Sequence, residues 1–145
     1  MTAPDSELAR LVAESDAETD HQSASAVARR QAVMAMFASK VLRTGSEQFA
    51  AGTVLIYSDE KAEVEAAQHL ALAAMASEPR ARLLAATAYD RLRRLAGAPQ
   101  KFGTQLVWSE GRLDLWSVDP GTTDSERAKW GVPPLAEVQR RVRGA

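Results

Sequence analysis

The segment from Lys101 to Gln105 (Lys-Phe-Gly-Thr-Gln) is the part of the sequence best suited to chemistry. Lys101, Thr104 and Gln105 supply a cation, a hydroxyl and an amide within one turn of chain. Gly103 lets the backbone bend there, or approach a partner closely. These groups can bind a carboxylate or an amide. They can equally satisfy the last carbonyls of a helix and the edge of a hairpin, so the pattern leaves both roles open.

Arg30 is a second candidate, because it interrupts an apolar helix seam formed by Val27, Met34, Phe37 and Val41. A guanidinium buried in such a seam needs a carboxylate partner. We expect that partner to be an acidic residue of the back half of the chain: Asp90, Asp119 or Asp124. The alternative is that the stem of Arg30 lies along the seam while its charged end reaches water.

Asp90 and Arg91 are neighbours in a helical stretch. Asp90 can pair with Arg93 or Arg94 on a solvated helix face. Alternatively, Asp90 or Arg91 turns inward and anchors the back segment. The candidate binding residues are those that could converge on one polar pocket: Arg30, Asp90, Arg91, Lys101, Thr104, Gln105, Asp119 and Asp124.

Metal and thiol chemistry are not indicated by the sequence. It has no cysteine, which excludes a thiolate nucleophile, a disulfide scaffold and any cysteine-based metal site. Of the two histidines, His69 follows Glu65 by four residues and predicts an exposed pair, and His21 is placed at a helix cap. No Ser–His–Asp order and no glycine-rich phosphate loop is present. We expect neither a metal nor a cofactor.

The charge balance bears on the kind of partner. The 145 residues include 18 basic and 19 acidic ones, for a net charge of -1, so binding to a nucleic-acid backbone is not expected. Residues 1–10 carry two acids and no apolar run, unlike a signal peptide, and no apolar stretch approaches the ~20 residues of a membrane span. We expect a cytoplasmic protein that binds a protein, a peptide or a small molecule, without membrane contact.

Alanine usage divides the chain into two parts of one predicted domain, residues 1–97 and 98–145. Alanine occurs 25 times in the first 100 residues and three times in the last 45, which favours helices in the front part. Apolar periodicity and end signals predict seven helices, over 6–14, 20–42, 46–57, 61–77, 79–96, 124–129 and 135–143. We expect Thr19 or Asp20 to cap the second helix, Thr44-Gly45 to end it, and Ser46 to cap the third.

The back part begins with a change of period. Residues 105–108 and 112–116 are rich in β-formers and flank Glu110-Gly111, which predicts a β-hairpin with Trp108 or Trp116 packed on the fifth helix. The predicted fold is mainly α: an antiparallel helical bundle or a short helix-pair array with a C-terminal β-hairpin. Tyr57 and Tyr89 end two similar segments 32 residues apart, a spacing similar to Sel1-like and tetratricopeptide-type helix pairs.

An ordered series of short motifs resembles an uncharacterised bacterial domain family of unknown function. Its signature is Pro-Gln-x-Phe-Gly-Thr-Gln, then Asp-Pro, then Gly-Val-Pro-Pro-Leu, and it matches Pro99 to Gln105, Asp119-Pro120 and Gly131 to Leu135. The resemblance covers about residues 48–137. It implies a small bacterial helical domain with a short C-terminal hairpin and no established activity.

Two functional hypotheses follow from these patterns. The first is a non-catalytic binding or adaptor module that presents a groove between its helices to a peptide or protein. The second is a small enzyme, or a protein accessory to one, with a metal-free polar pocket built from Arg30, Asp90, Arg91, Lys101, Thr104 and Gln105.

Overall fold

Five helices form the front of the chain in the computed structural model, which describes residues 4–144. They are α1 (Pro4–Ala17), α2 (Ala24–Ala38), α3 (Gly45–Leu55), α4 (Lys61–Ala74) and α5 (Ala81–Leu95). The back follows with strands β1 (Leu106–Ser109) and β2 (Arg112–Leu115), then helices α6 (Asp124–Lys129) and α7 (Leu135–Arg143). The predicted fold class, mainly helical with a C-terminal hairpin, is therefore confirmed. Residues 1–3 of the stretch considered for a signal peptide lie outside the described part.

The main core lies among α1 to α4. α4 packs most closely against α3 on one side and α5 on the other, and its buried alanines let the helices approach. Gly52 of α3 lies so near α5 that a Cβ there would stand 2.8 Å from Cδ2 of Leu84. The largest fully packed apolar side chains of this core are Leu8, Leu11, Val33, Met36, Leu42, Val54, Leu55 and Leu70.

The second helix ends earlier than predicted. It stops at Ala38 rather than near Leu42, because Lys40 turns into the left-handed region with φ 59°. The amides of Lys40 and Val41 donate to the carbonyls of Phe37 and Met36, the pattern of a Schellman motif. Such an end normally uses glycine or asparagine, so the sequence gives no signal of it.

Other helix ends also differ from the predictions. Ser23, not Thr19 or Asp20, caps α2, and its side chain accepts from the Ala26 amide at 3.1 Å. Thr44, predicted to end α2, instead caps α3 in a capping box with Glu47.

The hairpin forms where it was predicted. Leu106 pairs with Leu115 and Ser109 with Arg112, and the two turn residues, Glu110 and Gly111, both have positive φ. This is the two-residue turn that fits the right-handed strand twist.

Trp116 is the hairpin tryptophan that meets the end of α5. Its indole nitrogen donates to the Ala98 carbonyl at 3.0 Å, and the Arg94 guanidinium lies 5.7 Å from its ring centre. Trp108, the other candidate, is 72% exposed.

A small apolar cluster joins the back to α5. Phe102 and Val132 are buried against Ala86, with Tyr89 and Trp130 packed around them. The back segment is thereby fixed on the face of α5 that carries Ala86 and Asp90.

Candidate functional site

The Asp90 carboxylate is enclosed by the segment that the sequence singled out. Asp90 is fully buried on α5. Its Oδ1 accepts from the amides of Lys101 (2.8 Å) and Phe102 (2.9 Å). Its Oδ2 accepts from the amides of Gly103 and Thr104 (3.1 Å each) and from the Thr104 hydroxyl (2.8 Å). The segment does bind a carboxylate, but it is one of the protein's own.

The backbone of the segment must curl for four successive amides to face one side chain. Gly103 makes this possible with φ 103°. Gln100, fully buried, fixes the two ends: its Oε1 accepts from the Gln105 amide at 2.8 Å, and its Nε2 donates to the Gln105 and Trp116 carbonyls. The predicted set of binding residues omitted Gln100, although the signature Pro-Gln-x-Phe-Gly-Thr-Gln contains it.

The side chains of Lys101 and Gln105 are also engaged. Lys101 Nζ lies 2.8 Å from Glu126 Oε1, and this hydrogen bond raises the pKa of Lys101. Gln105 Nε2 donates to the Thr104 hydroxyl at 3.3 Å and lies 3.5 Å from the Thr87 carbonyl. The polar groups of this segment are thus used to join α5, the hairpin and α6.

Arg30 pairs with a different carboxylate from those predicted. It is only 4% exposed, its Nε lies 3.2 Å from Glu63 Oε1, and its Nη1 donates to the His21 carbonyl at 2.6 Å. The expectation of Asp90, Asp119 or Asp124 is wrong because α2 contacts α4, which carries Glu63 in its first turn.

The three acids expected beside Arg30 have other donors. The Asp90 oxygens face residues 101–104, as described above. Asp119 Oδ1 accepts from the Gly121 amide at 2.8 Å, which closes a local turn. Asp124 Oδ1 accepts from Arg127 at 2.9 Å and from the Leu135 amide at 3.0 Å, and the second bond joins the start of α6 to the start of α7.

Arg91 turns inward onto the loop between α3 and α4. Its Nε donates to the Ser58 carbonyl at 2.7 Å and its Nη2 to Asp59 Oδ1 at 2.9 Å. Burial lowers the pKa of Arg91; Asp59 opposes the shift, and the charges of Arg94 and Arg30 add to it. Arg91 therefore anchors the loop before α4 rather than the back segment.

Of the two alternatives predicted for Asp90, pairing with Arg93 or Arg94 is wrong, and the inward turn that anchors the back segment is confirmed. Arg93 donates to the Pro99 carbonyl at 2.6 Å and Arg94 to the Leu106 carbonyl at 2.8 Å. Both arginines bind backbone carbonyls of the chain that follows α5. Asp90 lies on the buried face of α5, where the loop amides are its donors.

The eight predicted residues thus separate into three groups. Asp90, Lys101, Thr104 and Gln105 are joined at the end of α5. Arg30 and Arg91 contact α4 and the loop before it, Arg30 through Glu63 and Arg91 through Ser58 and Asp59. Asp119 and Asp124 organise turns of the back segment. Because the Asp90 carboxylate is buried and accepts five hydrogen bonds, we interpret it as a structural anchor rather than a catalytic acid or base.

An open apolar groove lies between α3 and the first half of α5, a location that the sequence did not predict. It has a cavity volume of about 640 Å³. Tyr57 and Leu83 are the half-exposed large apolar side chains of its lining, at 42% and 43%. The full lining comprises Phe49, Thr53, Ile56, Tyr57, Pro79, Arg80, Arg82, Leu83, Leu84, Thr87 and Gly131.

Helical spacing explains how the groove is built. Phe49, Thr53 and Ile56 follow one another at four and three residues along one side of α3 and its C-cap. Leu83 and Thr87 are four residues apart on α5 and lie off the buried stripe of that helix. The sequence did carry one signal for this surface: Leu83 lies beside the apolar stripe of α5, which is already complete without it.

Cations dominate the polar part of the groove lining. Arg80 lies over the Phe49 ring, 4.5 Å from its centre, and its Nε is 2.8 Å from Glu78 Oε1. The hydrogen bond from Arg80 lowers the pKa of Glu78. Arg82 donates to the carbonyls of Pro79 and Lys129. The groove therefore joins apolar walls to guanidinium groups.

A second cavity, of about 570 Å³, lies between α1 and α3, lined by Leu8, Val12 and Ala50 with Asp16 and Glu47 among its polar residues. Neither this cavity nor the groove includes a residue of the predicted polar pocket. Within residues 4–144, no group of three or more acidic or histidine side chains is arranged to hold a metal ion. No helix in the same range combines the length and apolarity needed to cross a bilayer.

Comparison with protein-family models, with curated proteins and with solved structures gives no match. The resemblance to a bacterial domain family therefore stays a prediction.

Proposed function

We propose that this chain is a binding module for a peptide or protein segment, and that the groove between α3 and α5 is its binding surface. The observation that carries the proposal is the pair of half-exposed apolar side chains, Tyr57 and Leu83, at the mouth of an apolar groove of about 640 Å³. Large side chains of this kind, gathered at one surface, are typical of protein interaction sites.

The open shape of the groove favours a peptide or protein over a small molecule. Pockets for small molecules bury most of the ligand surface, whereas this groove is open to solvent. A helix or extended segment can lay one or two apolar side chains into such a groove and cover its rim with its own backbone. The same partner would shield Leu83 and Tyr57 from water.

The alternative of a small enzyme has less support. Its pocket required Asp90, Lys101 and Thr104 to face a substrate. In the described chain Asp90 is fully buried, and its carboxylate accepts five internal hydrogen bonds, two of them from Thr104. A substrate would have to displace this loop before it reached the carboxylate.

We also propose, from the sequence expectation, that the binding module is located in the cytoplasm.

The first prediction tests the groove with a defined probe. Random 16-residue peptides are selected by display against the purified chain, and the strongest is synthesised and measured by calorimetry. Leu83→Glu should weaken its binding more than tenfold, because a charge replaces an apolar anchor that the partner desolvates. Leu72→Glu, a matched change at a leucine of α4 that is 49% exposed and outside the groove, should leave the affinity within twofold.

Two results would count against the binding module. One is a selection that yields no peptide whose binding depends on Leu83. The other is a peptide that loses affinity equally in Leu72→Glu and Leu83→Glu, since that would show contact with apolar surface in general rather than with the groove.

A further inference from the structure

We infer that the segment bound in the groove carries acidic residues beside its apolar anchor, an inference that rests on the proposed function. The lining includes two arginines, Arg80 and Arg82, and no aspartate or glutamate. The whole chain, in contrast, has a net charge of -1. The groove is therefore a locally positive surface on a slightly negative protein, which favours approach by carboxylates.

Arg82 carries the clearest charge for this role. It is exposed, and its guanidinium donates to two backbone carbonyls, those of Pro79 at 3.4 Å and Lys129 at 3.3 Å. Across residues 6–144, no carboxylate lies within ion-pair distance of Arg82. The two carbonyls orient the guanidinium beside the groove without neutralising it, so a carboxylate of the partner would find its charge available.

Arg80 offers a second contact, but it is shared with an internal acid. Its guanidinium lies over the Phe49 ring and pairs with Glu78 at 2.8 Å, while the Arg80 side chain remains 70% exposed. A partner carboxylate can therefore reach Arg80 only in competition with Glu78. Because Glu78 competes with the partner for Arg80, removing the Glu78 charge should strengthen peptide binding.

The charge pattern also decides between partner classes. An anionic membrane surface would be attracted to the same arginines, but a flat surface would not fill an apolar groove that lies between two helices. In a peptide with a leucine-sized or aromatic anchor next to aspartate or glutamate, the anchor would pack against the apolar walls and the carboxylate would pair with the arginines. We therefore assign an acidic amphipathic peptide segment as the partner.

The test uses the display selection and the strongest synthetic peptide. The selected sequences should be more acidic than the starting library. Arg82→Gln should weaken the peptide about two- to fivefold, as expected for an exposed ion pair. Glu78→Gln should tighten it by a similar factor. Arg112→Gln, at an exposed arginine of the hairpin outside the groove, should have no effect, and added salt should weaken binding to the wild type more than to Arg82→Gln.

The outcomes separate this inference from the proposed function. Neutral or basic peptides that still lose affinity in Leu83→Glu would overturn the acidic partner and leave the binding module standing. A peptide indifferent to both Arg82→Gln and Glu78→Gln would do the same. Binding to phosphatidylglycerol vesicles that Arg82→Gln abolishes, without any Leu83-dependent peptide, would overturn both in favour of a membrane surface.

Discussion

At the scale of single residues, the polar groups that the sequence marks as binding candidates form hydrogen bonds within the protein. Lys101 to Gln105 has the composition of a carboxylate-binding segment, and it binds Asp90 of the preceding helix. Composition indicates which chemistry a segment can perform. It does not indicate whether the carboxylate comes from another molecule or from the helix 11 residues earlier.

Asp90→Asn tests this anchor. The substitution replaces a carboxylate oxygen by an amide group that faces the donors of Gly103 and Thr104, so these donors lose their acceptor in a buried site. We expect a loss of about 3–5 kcal/mol in the free energy of unfolding, measured by urea denaturation. Glu65→Gln, at an exposed acid paired with Lys61, should cost about 0–1 kcal/mol. Equal midpoints for Asp90→Asn and wild type would contradict a structural role.

At the scale of elements, the local signals were good predictors of what forms and poor predictors of where it ends. The change from alanine-rich periodicity to β-formers around Glu110-Gly111 predicted the hairpin correctly, because strand pairing and turn type are both local properties. The end of α2 was missed because Lys40 adopts a conformation that its side chain does not favour. Tertiary contacts decide such ends.

The start of α3 provides a direct test of cap assignment. Thr44 accepts from the Glu47 amide at 3.1 Å, and Glu47 Oε1 accepts from the Thr44 amide at 2.9 Å. Thr44→Ala should therefore lower the free energy of unfolding by about 1 kcal/mol. Ser46→Ala, at the residue that the sequence favoured as the cap, should leave it nearly unchanged. The reverse order of effects in thermal or urea unfolding would show that Ser46, and not Thr44, caps the helix.

The candidate site could not be predicted to the same extent as the fold. The alanine stripes identify which helix faces are buried, but not which helix lies opposite each one. Arg30 was correctly expected to need a carboxylate, yet the choice of Glu63 depends on the contact of α2 with α4. The location of the groove was missed for the same reason, since its two walls come from α3 and α5, about 30 residues apart in the sequence.

At the scale of the whole molecule, a set of polar contacts joins the back segment to the helices. Arg127 of α6 is buried; its Nε donates to the Phe102 carbonyl at 2.8 Å, and its Nη1 pairs with Asp124 at 2.9 Å. Asp124 also accepts from the Leu135 amide. α6 thus links the loop around Asp90 to the start of α7. Gly131, which lines one edge of the groove, lies in the segment between α6 and α7.

Acid should weaken this connection. The hydrogen bond from the Leu135 amide, and then the contact with Arg127, lower the pKa of Asp124. A carboxylate whose pKa is lower in the folded than in the unfolded state stabilises the fold above its unfolded pKa, and this contribution is lost as the pH falls through the folded value. Below about pH 4, the difference in unfolding free energy between wild type and Asp124→Asn should therefore shrink.

The comparison requires urea unfolding at pH 7 and at pH 3. Asp16→Asn is the control, since it removes one exposed negative charge that has no ion pair within residues 6–144. A wild-type advantage over Asp124→Asn that stays constant between the two pH values would refute the assignment of this acid sensitivity to Asp124.

The most direct test of where this protein binds its partner is a titration of the ¹⁵N-labelled chain with the strongest selected peptide, followed by amide chemical shifts. Binding in the groove predicts the largest changes at its lining, at Tyr57, Leu83, Thr87 and Gly131. The amides of residues 101–104, already bonded to Asp90, should change little. Changes concentrated at residues 101–104, with the groove amides unmoved, would contradict the groove as the binding surface and restore the polar segment as the site.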